Sequence, residues 1–443
     1  MAAKKRSSRI SSSSSSSSSH RSEAFKPSSP DSVKSQTNRH RWLITIFFTV
    51  FFIISLLIYC QRYYFYTATT VVVDVENPYV YQRGLVKVDS TYREVIDENL
   101  NVSENISQRH FGNPVLAYIT PWNSKGYDLA KKFSSKITHL SPVWYELKNE
   151  GSKLVLHGRH NADRGWISDI QMKGNALILP RVVLEAIPLD LLKKKKLREK
   201  AINLIIMECK EMEYDGIVLE SWSRWVAYGI LHNSDMRNLA LQFIKQLGEA
   251  MHSVHLERNG KTNLQLVYVI GPPRTDKLQE LDFGPEDLQA LYDAVDGFSL
   301  MTYDHSSPYN PGPNAPLKWI RSTLHLLVGV GSKSRRLAEK IFVGINFYGN
   351  DFVMSGGLGG GPIIAHEYLS LLEQHKPVIQ WEGNSAEHFF LYSDNQHVQH
   401  AVFYPTLMSL AMRLEEARSW GAGISIWEIG QVERDYVATV VMD

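Results

Sequence analysis

Short apolar runs alternate with amphipathic stretches through most of this chain. Eight runs have the length and the β-branched and aromatic content of buried strands: Val115–Thr120, Ile137–Trp144, Ala176–Leu184, Tyr214–Ser221, Leu264–Ile270, Gly297–Tyr303, Ile341–Tyr348 and Gly423–Glu428. Between them lie stretches with helical periodicity: Leu189–Met212, Met236–Glu257, Pro285–Ala294, Leu317–Val328 and Pro405–Trp420. This alternation predicts an α/β fold, a (β/α)8 TIM barrel of eight parallel strands with crossover helices.

The interval 349–404 is too long for a simple connection between a strand and a helix. It holds a glycine-rich loop, a helical stretch at Ala365–Gln374 and alternating runs at Val378–Trp381 and Glu387–Tyr392. We therefore predict a small α+β insertion after strand 7, which forms one wall of a groove. His397 and His400 have helical spacing but no acidic or cysteine partner pattern, so we predict no metal site and no cofactor.

The N-terminal region has a different pattern. Residues 1–41 contain 16 serines and almost no large apolar residue, which predicts a disordered, basic cytosolic tail. Leu43–Tyr59 follows as seventeen residues without a charge. At 1.5 Å per residue this run spans roughly 25 Å, the short end of the range for a transmembrane helix. A cleaved signal peptide and a buried core helix are the alternatives.

The basic residues that precede the apolar run favour a cytosolic N-terminus. We predict a transmembrane signal anchor at 42–62 of a single-pass type II protein in the endomembrane system, in the endoplasmic reticulum, the Golgi or later. Its barrel would be lumenal, and cleavage would release a secreted form. Residues 63–111 are interpreted as a stalk and a segment that leads into the barrel at 112–443. Two acceptor sequons there predict N-glycosylation at Asn101 and Asn105.

Charge and cysteine content narrow the function. The formal net charge of +2 leaves no basic excess for a nucleic-acid partner. Only two cysteines occur, Cys60 and Cys209, which cannot form a disulfide framework. In a barrel of this kind, functional side chains lie at the C-terminal ends of the strands. Here those ends carry aromatic residues mixed with carboxylates and amides: Trp122, Trp144, Tyr145, Glu185, Glu220, Trp222, Tyr303, Asp304, Tyr348, Asn350, Trp427 and Glu428. Such a mixture suits a sugar, which stacks on rings and hydrogen-bonds to acids.

Four segments resemble the strand motifs of glycoside hydrolase family 18. Tyr214–Trp222 looks like the fourth-strand signature D-G-x-D-x-D-x-E, and Ser299–Asp304 matches M-x-Y-D of the sixth strand. Lys340–Gly349 and Gly423–Glu428 resemble the seventh and eighth strands. The resemblance covers 112–443 and is strongest to the chitinase-domain-containing, or stabilin-interacting chitinase-like, branch, through Glu387–Phe390, Val402–Leu407 and Ser425–Glu428. The resemblance implies that the indole of Trp427 forms the floor of the central sugar-binding position.

The fourth strand departs from the family pattern. The family's three aspartates align with Asp215, Val218 and Glu220, and its catalytic glutamate aligns with Trp222. In active members, the resemblance implies, that glutamate protonates the glycosidic oxygen. Because side chains alternate along a strand, we expect 218, 220 and 222 to share the inward face. Glu220 would then lie about 6.6 Å too deep at about 3.3 Å per residue to donate the proton. We expect no catalytic residue and no hydrolysis.

Three functions remain. The first is a carbohydrate-binding, chitinase-like protein for chitin or other N-acetylated oligosaccharides, which are bound by Trp122, Trp144, Tyr145, Glu220, Trp222, Tyr303, Asp304, Tyr348 and Trp427. The second is a residual or altered glycosidase that uses Glu220, Asp304, Glu185 or Glu428. The third is an interaction scaffold that presents the barrel surface to a protein receptor.

Overall fold

The structure, a computed structural model, describes residues 49–57, 78–99, 109–174, 176–255, 263–273, 278–329, 331–354 and 359–432. Residues 49–57 are helical and belong to a separate unit from the one that begins at Asn77. Within the described ranges, no helix has both the length and the apolar composition to cross a membrane. Most of the predicted anchor at 42–62, the tail at 1–41 and both sequons lie outside these ranges, so those features stay predictions.

Eight parallel strands close into a barrel. The part of the chain that the structure describes has fifteen strands: β1 Val115–Ile119, β2 His139–Glu150, β3 Lys153–His157, β4 Leu177–Ile178, β5 Arg181–Leu184, β6 Gly216–Glu220, β7 Gln265–Ile270, β8 Gly297–Leu300, β9 Ile341–Asn346, β10 Gly349–Val353, β11 Gly360–Ile363, β12 Gln380–Glu382, β13 Glu387–Ser393, β14 Gln399–Tyr404 and β15 Gly423–Trp427. The barrel order is β1-β15-β9-β8-β7-β6-β5-β2, and the pairing of β2 with β1 closes the ring. Each predicted run overlaps at least one of these strands, which confirms the barrel; β2 extends six residues beyond its predicted end at Trp144.

Helices pack on the outside of the barrel and on the segment inserted after β9. They are α1 Tyr79–Gln82, α2 Tyr92–Glu98, α3 Lys125–Lys132, α4 Arg164–Lys173, α5 Pro188–Lys193, α6 Lys195–Met212, α7 Trp222–Ala227, α8 Ser234–His252, α9 Pro285–Leu291, α10 Leu317–Val328, α11 Ser332–Ala338, α12 Ala365–His375 and α13 Leu407–Trp420. The predicted helix Leu189–Met212 is two helices, because Lys194 is extended between α5 and α6. In α8, Asn233 caps the first turn by accepting from the Met236 amide at 3.0 Å.

The apolar interior has two main layers. One lies inside the barrel and is built from Leu116, Tyr118, Leu179, Val218, Val267, Val269 and Phe342. The larger layer fills the space between the strands and the helices. Polar groups inside the barrel pair with one another: the Tyr118 hydroxyl donates to Ser299 at 2.8 Å, and Ser299 donates to Ser425 at 3.2 Å. The barrel is therefore packed through its middle, and a ligand has room only at its mouth.

The segment between β9 and α13 carries a five-stranded antiparallel sheet in the order β11-β10-β14-β13-β12. The helix α12 covers one face, where the rings of Tyr368 and Tyr404 stack at 4.1 Å. The buried guanidinium of Arg413, on α13, donates to Glu387 of this sheet at 3.0 Å and to four backbone carbonyls. This network ties the inserted sheet to the barrel.

Residues 78–99 correct the predicted stalk. They form α1 and α2, and their side chains Val80 and Val95 are buried in the core. Thr91 and Glu94 form a reciprocal capping box at the start of α2. The Nε2 atom of the buried His388 ring lies 2.9 Å from the carbonyl oxygen of Val88. This part of the interval 63–111 therefore belongs to the folded unit and is not an extended spacer.

Candidate functional site

The C-terminal ends of the barrel strands bring together five of the predicted residues: Glu220, Tyr303, Asp304, Tyr348 and Trp427. They follow or end β6, β8, β9 and β15; the last three are consecutive in the barrel, and β7 separates β8 from β6. A sixth residue, Arg181 at the start of β5, joins them and was not predicted. Its signal in the sequence was a charged residue inside an otherwise apolar run, at Ala176–Leu184.

Trp427 lies at the centre of the mouth and is partly buried. The ring of Tyr118, which is fully buried inside the barrel, packs against it with centroids 5.2 Å apart. The guanidinium carbon of Arg181 lies over the indole at 5.5 Å from the ring centroid, within range of a cation–π contact. The indole is therefore in contact both with Tyr118, inside the barrel, and with the guanidinium of Arg181.

Glu220 and Arg181 form an ion pair beside this indole. Arg181 donates from both Nε, at 2.8 Å, and Nη2 to the same oxygen, Oε2 of Glu220. The hydroxyl of Ser223 donates to the other oxygen at 3.2 Å. The two charged side chains are only 16% and 13% exposed, so the pair is largely withdrawn from water. At such a position each charge depends on the other for compensation.

The aromatic hydroxyls of the mouth lie on the β8–β9 side. Gly344 of β9 makes room for Tyr303, since a Cβ there would lie 2.9 Å from the tyrosine ring. The hydroxyl of Tyr348 donates to Asp304, which has a left-handed backbone conformation at φ 60°. The amide of Asp304 donates to the Asn314 side chain at 2.7 Å. Burial raises the pKa of both Tyr303 and Tyr348 well above its usual value, so both phenols remain neutral.

The predicted inward position of Trp222 is wrong. The strand β6 ends at Glu220, the backbone turns at Ser221, and Trp222 begins α7. Its indole is only 4% exposed and packs edge-on against Phe283 with centroids 5.0 Å apart. The indole Nε1 donates to the Leu281 carbonyl at 3.0 Å, and Arg237 lies 4.9 Å over the ring. Trp222 therefore packs beside the barrel, against the segment that follows β7, and does not face the barrel axis.

Trp144 and Tyr145 also lie away from the mouth. The register between β2 and β5 shifts between Val143 and Tyr145, so the alternation of side chains changes there. Both rings are buried between the barrel and its helices. The Trp144 indole donates to the Tyr127 hydroxyl at 2.6 Å, and the Tyr145 hydroxyl donates to Glu208 at 2.7 Å. Neither ring has a free face on which a sugar could stack.

The other predicted carboxylates have structural partners. Asp215 precedes β6, at the end of the strand opposite Glu220, and accepts from the Ile178 amide at 2.8 Å. Glu185 pairs with Arg224 at the rim. Glu428 is buried and accepts from Asn123 and, at 2.9 Å, from the Gly430 amide. Burial raises the pKa of Glu428 above its usual value.

Trp122 is the one predicted ring that is widely exposed, at 69%. It lines a cleft of about 230 Å³ with Asn123, Ser124, Lys125, Ile364, His366, Gly430, Gln431 and Val432. Part of the inserted segment thus faces the loop after β1, as a groove wall would. A second cavity of about 480 Å³ lies on the other side of the mouth, next to Trp222 and Phe283. Within the described ranges, no group of three or more His, Cys, Asp or Glu side chains is arranged to hold a metal ion.

Comparison with known proteins assigns the chain to a family. The model of glycosyl hydrolases family 18 matches residues 189–431. The cortical fragment-lytic enzyme of Bacillus subtilis is 24% identical over 196 residues, which are 43% of this chain and 42% of that enzyme. The match thus spans less than half of this curated relative.

Two solved structures share the fold. A chitinase from Chromobacterium violaceum has a TM-score of 0.61 at 19% identity and covers 75% of this chain and 98% of its own. A mutant family 18 chitinase from Cycas revoluta, in complex with (GlcNAc)4, has a TM-score of 0.60 at 14% identity and covers 74% and 99%. These two likenesses show the fold, whereas the family rests on the match of its model to residues 189–431, and neither distinguishes the branches of the family. The stabilin-interacting chitinase-like branch therefore stays a prediction.

Proposed function

The chain belongs to glycosyl hydrolase family 18, and we propose that it binds chitin-like, N-acetylated oligosaccharides at the barrel mouth without hydrolysing them. The observation that carries this proposal is the arrangement around β6. The position that aligns with the family's acid is a tryptophan packed beside the barrel, and the nearest inward carboxylate, Glu220, is held by Arg181.

Hydrolysis by this family's chemistry needs a carboxylic acid within hydrogen-bond reach of the glycosidic oxygen. Arg181 donates two hydrogen bonds to one oxygen of Glu220, an arrangement that suits a carboxylate acceptor and not a proton donor. Asp304 accepts from Tyr348 and, through its backbone, is fixed to Asn314. Among the described residues, the mouth therefore keeps hydrogen-bonding groups, and its central carboxylates, Glu220 and Asp304, are both hydrogen-bonded within the protein.

Binding is favoured by the groups that remain. Trp427 offers an indole at the centre of the mouth, and Tyr303 and Tyr348 are phenols that stay neutral. Trp122 adds an exposed ring on the side of the inserted segment. An apolar ring with convergent polar groups is the usual composition of a sugar site. The Cycas revoluta relative, which was solved with (GlcNAc)4, supports N-acetylated glycans as the ligand class.

Calorimetric titration of the full-length protein with N-acetylglucosamine oligomers tests the proposal. We expect weak binding, no release of product from fluorogenic oligomers, and binding up to about tenfold weaker in Trp427→Ala. That factor corresponds to about 60 Å² of apolar contact at about 25 cal/mol per Å². Trp420→Ala, at the partly buried end of α13, is the matched control. A wild-type protein that binds no glycan would contradict the proposal and favour the scaffold for a protein receptor.

A residual hydrolase is the second candidate, and one observation favours it. Glu428 follows Trp427 directly, and burial raises the pKa of its carboxyl group, as in a general acid. Its side chain is nevertheless buried and hydrogen-bonded to Asn123 and Gly430. Slow turnover that disappears in Glu428→Gln, and persists in Glu185→Gln, would establish this second function in place of the first.

A further inference from the structure

A cleft beside the mouth is lined by an exposed aromatic ring. Its volume is about 230 Å³, and its walls come from the residues after β1, the residues after β15 and the start of α12. Trp122 contributes an indole that is 69% exposed, so the ring keeps an open face. The cleft adjoins the mouth, because Asn123, in its wall, donates to Glu428, the residue after Trp427. A volume below the roughly 300–1,000 Å³ of drug-sized ligand sites suits a single sugar ring.

The side chains in this cleft that can carry a charge are both basic. Lys125 begins α3, and His366 lies in the first turn of α12. Among the described residues, no carboxylate lines the cleft. Both basic side chains are exposed, and in the same ranges neither is paired with a carboxylate. Their hydrogen-bond donors are therefore available to a ligand.

Three carboxylates are close in sequence to residues of the cleft without lining it. Glu428 is only 1% exposed and is hydrogen-bonded within the protein. Glu367, in the first turn of α12, accepts from the Ile364 amide at 2.8 Å. Asp128, in the first turn of α3, is not among the lining residues. An anionic ligand in the cleft therefore meets basic donors and no lining carboxylate.

We propose that this cleft binds an acidic sugar unit, with the sugar ring on Trp122 and its carboxylate on Lys125 and His366. An ammonium group donates to a carboxylate, and an imidazole N–H does so whether the ring is charged or neutral. The inference rests on the proposed glycan binding and specifies the class of sugar unit at the rim. The bound glycan then combines an N-acetylated unit at the mouth with a uronate-type unit in the cleft.

The test uses the full-length protein in calorimetric titrations with two tetramers of equal length. The acidic tetramer alternates N-acetylglucosamine with glucuronate, and its methyl ester is the neutral probe. We expect wild type to bind the acid about tenfold more tightly than the ester, which is about 1.4 kcal/mol shared by two exposed charge contacts. Lys125→Gln should reduce this preference to about threefold, and adding His366→Gln should reduce it to less than about twofold. Neither change should alter binding of the ester.

Lys210→Gln is the matched control for the loss of one positive charge. Lys210 is exposed in the last turn of α6, which leads to the start of β6 at the end of the barrel away from the mouth. This variant should keep the tenfold preference for the acid. Trp122→Ala should weaken binding of both tetramers about fivefold, the factor given by about 40 Å² of apolar contact.

Equal binding of the acid and the ester by wild type would overturn the inference and leave the proposed function in place. So would a Lys210→Gln variant that loses as much of the preference as Lys125→Gln, because the attraction would then come from the overall charge of the protein. Absence of binding of both tetramers, and of the tetramer of N-acetylglucosamine, would refute the proposed function as well.

Discussion

Substitution of Trp222 tests whether β6 ends at Glu220, so that position 222 lies beside the barrel, or continues so that position 222 faces the barrel axis. If the strand continued inward, Trp222→Glu would restore the family's acid with little disturbance. In the structure the indole is instead packed against Phe283, covered by Arg237 and hydrogen-bonded to the Leu281 carbonyl. Replacing it by glutamate removes a buried aromatic ring and places a carboxylate in the same apolar surroundings. Arg237 cannot compensate fully, because it already pairs with Asp287 at 2.5 Å.

The magnitude follows from these contacts. Loss of a buried tryptophan costs about 3–5 kcal/mol, and the carbonyl of Leu281 left without its donor adds about 1 kcal/mol. Many domains have only about 5–15 kcal/mol of stability in total, so Trp222→Glu should fold poorly and show no turnover. Trp222→Phe, which keeps the ring contact with Phe283, should lose only about 1–2 kcal/mol, the hydrogen bond and part of the packing.

Urea unfolding, followed by circular dichroism, measures the two stabilities, and fluorogenic N-acetylglucosamine oligomers measure activity. A Trp222→Glu protein as stable as wild type would show that the indole is not a packing residue. Turnover in that variant would show further that position 222 reaches the glycosidic bond. Either result would refute the position of Trp222 beside the barrel.

Three further predictions concern the rest of the molecule. Arg413→Met should lower the free energy of unfolding in urea by about 3–5 kcal/mol, because it breaks a fully buried ion pair. The control Lys195→Met, at an exposed pair, should lower it by less than about 1 kcal/mol. Equal losses in the two variants would contradict the structural role of Arg413. Burial lowers the pKa of His388 in the folded protein, so this side chain takes up a proton more readily in the unfolded chain than in the folded one. The free energy of unfolding should therefore fall as the pH drops below about 6.5. His388→Gln should lack that part of the pH dependence, and an unchanged slope would show that another group causes it. We propose that 43–59 is a type II membrane anchor, so protease added to sealed microsomes should leave the barrel intact; its digestion in intact vesicles would contradict the anchor.

Barrel strands such as β1 and β9 could be predicted because all of their residues are buried, on both faces of the sheet. All five residues of β1 and all six of β9 are buried, so each strand appears in the sequence as a continuous apolar run. The helices of 78–99 were missed for the opposite reason. The first, α1, has four residues, and α2 has seven, so neither is long enough to show a helical period. Their stability comes from contacts with distant residues such as His388.

Side-chain direction at the strand ends was harder to predict than the strands themselves. Alternation places Trp222 inward only while the strand continues, and Ser221, with φ −150° and ψ −29°, ends it one residue earlier. A register shift in β2 moves Trp144 and Tyr145 outward in the same way. Both changes arise from local backbone geometry that hydrophobic pattern does not encode. The residues on regular strand ends, such as Trp427 and Glu220, lie where alternation predicts them.

Arg181 connects the carboxylate of Glu220 with the indole of Trp427 at the barrel mouth. In the sequence it is a charged residue inside the otherwise apolar run Ala176–Leu184. In the folded barrel its guanidinium pairs with Glu220 and also lies against the indole of Trp427. Glu220 and Trp427 are therefore coupled through one guanidinium, because moving it off the indole also leaves the Glu220 carboxylate without its counter-charge. On the proposed absence of hydrolysis, we expect Trp222→Glu alone to leave the pair of Arg181 and Glu220 in place and to produce no turnover.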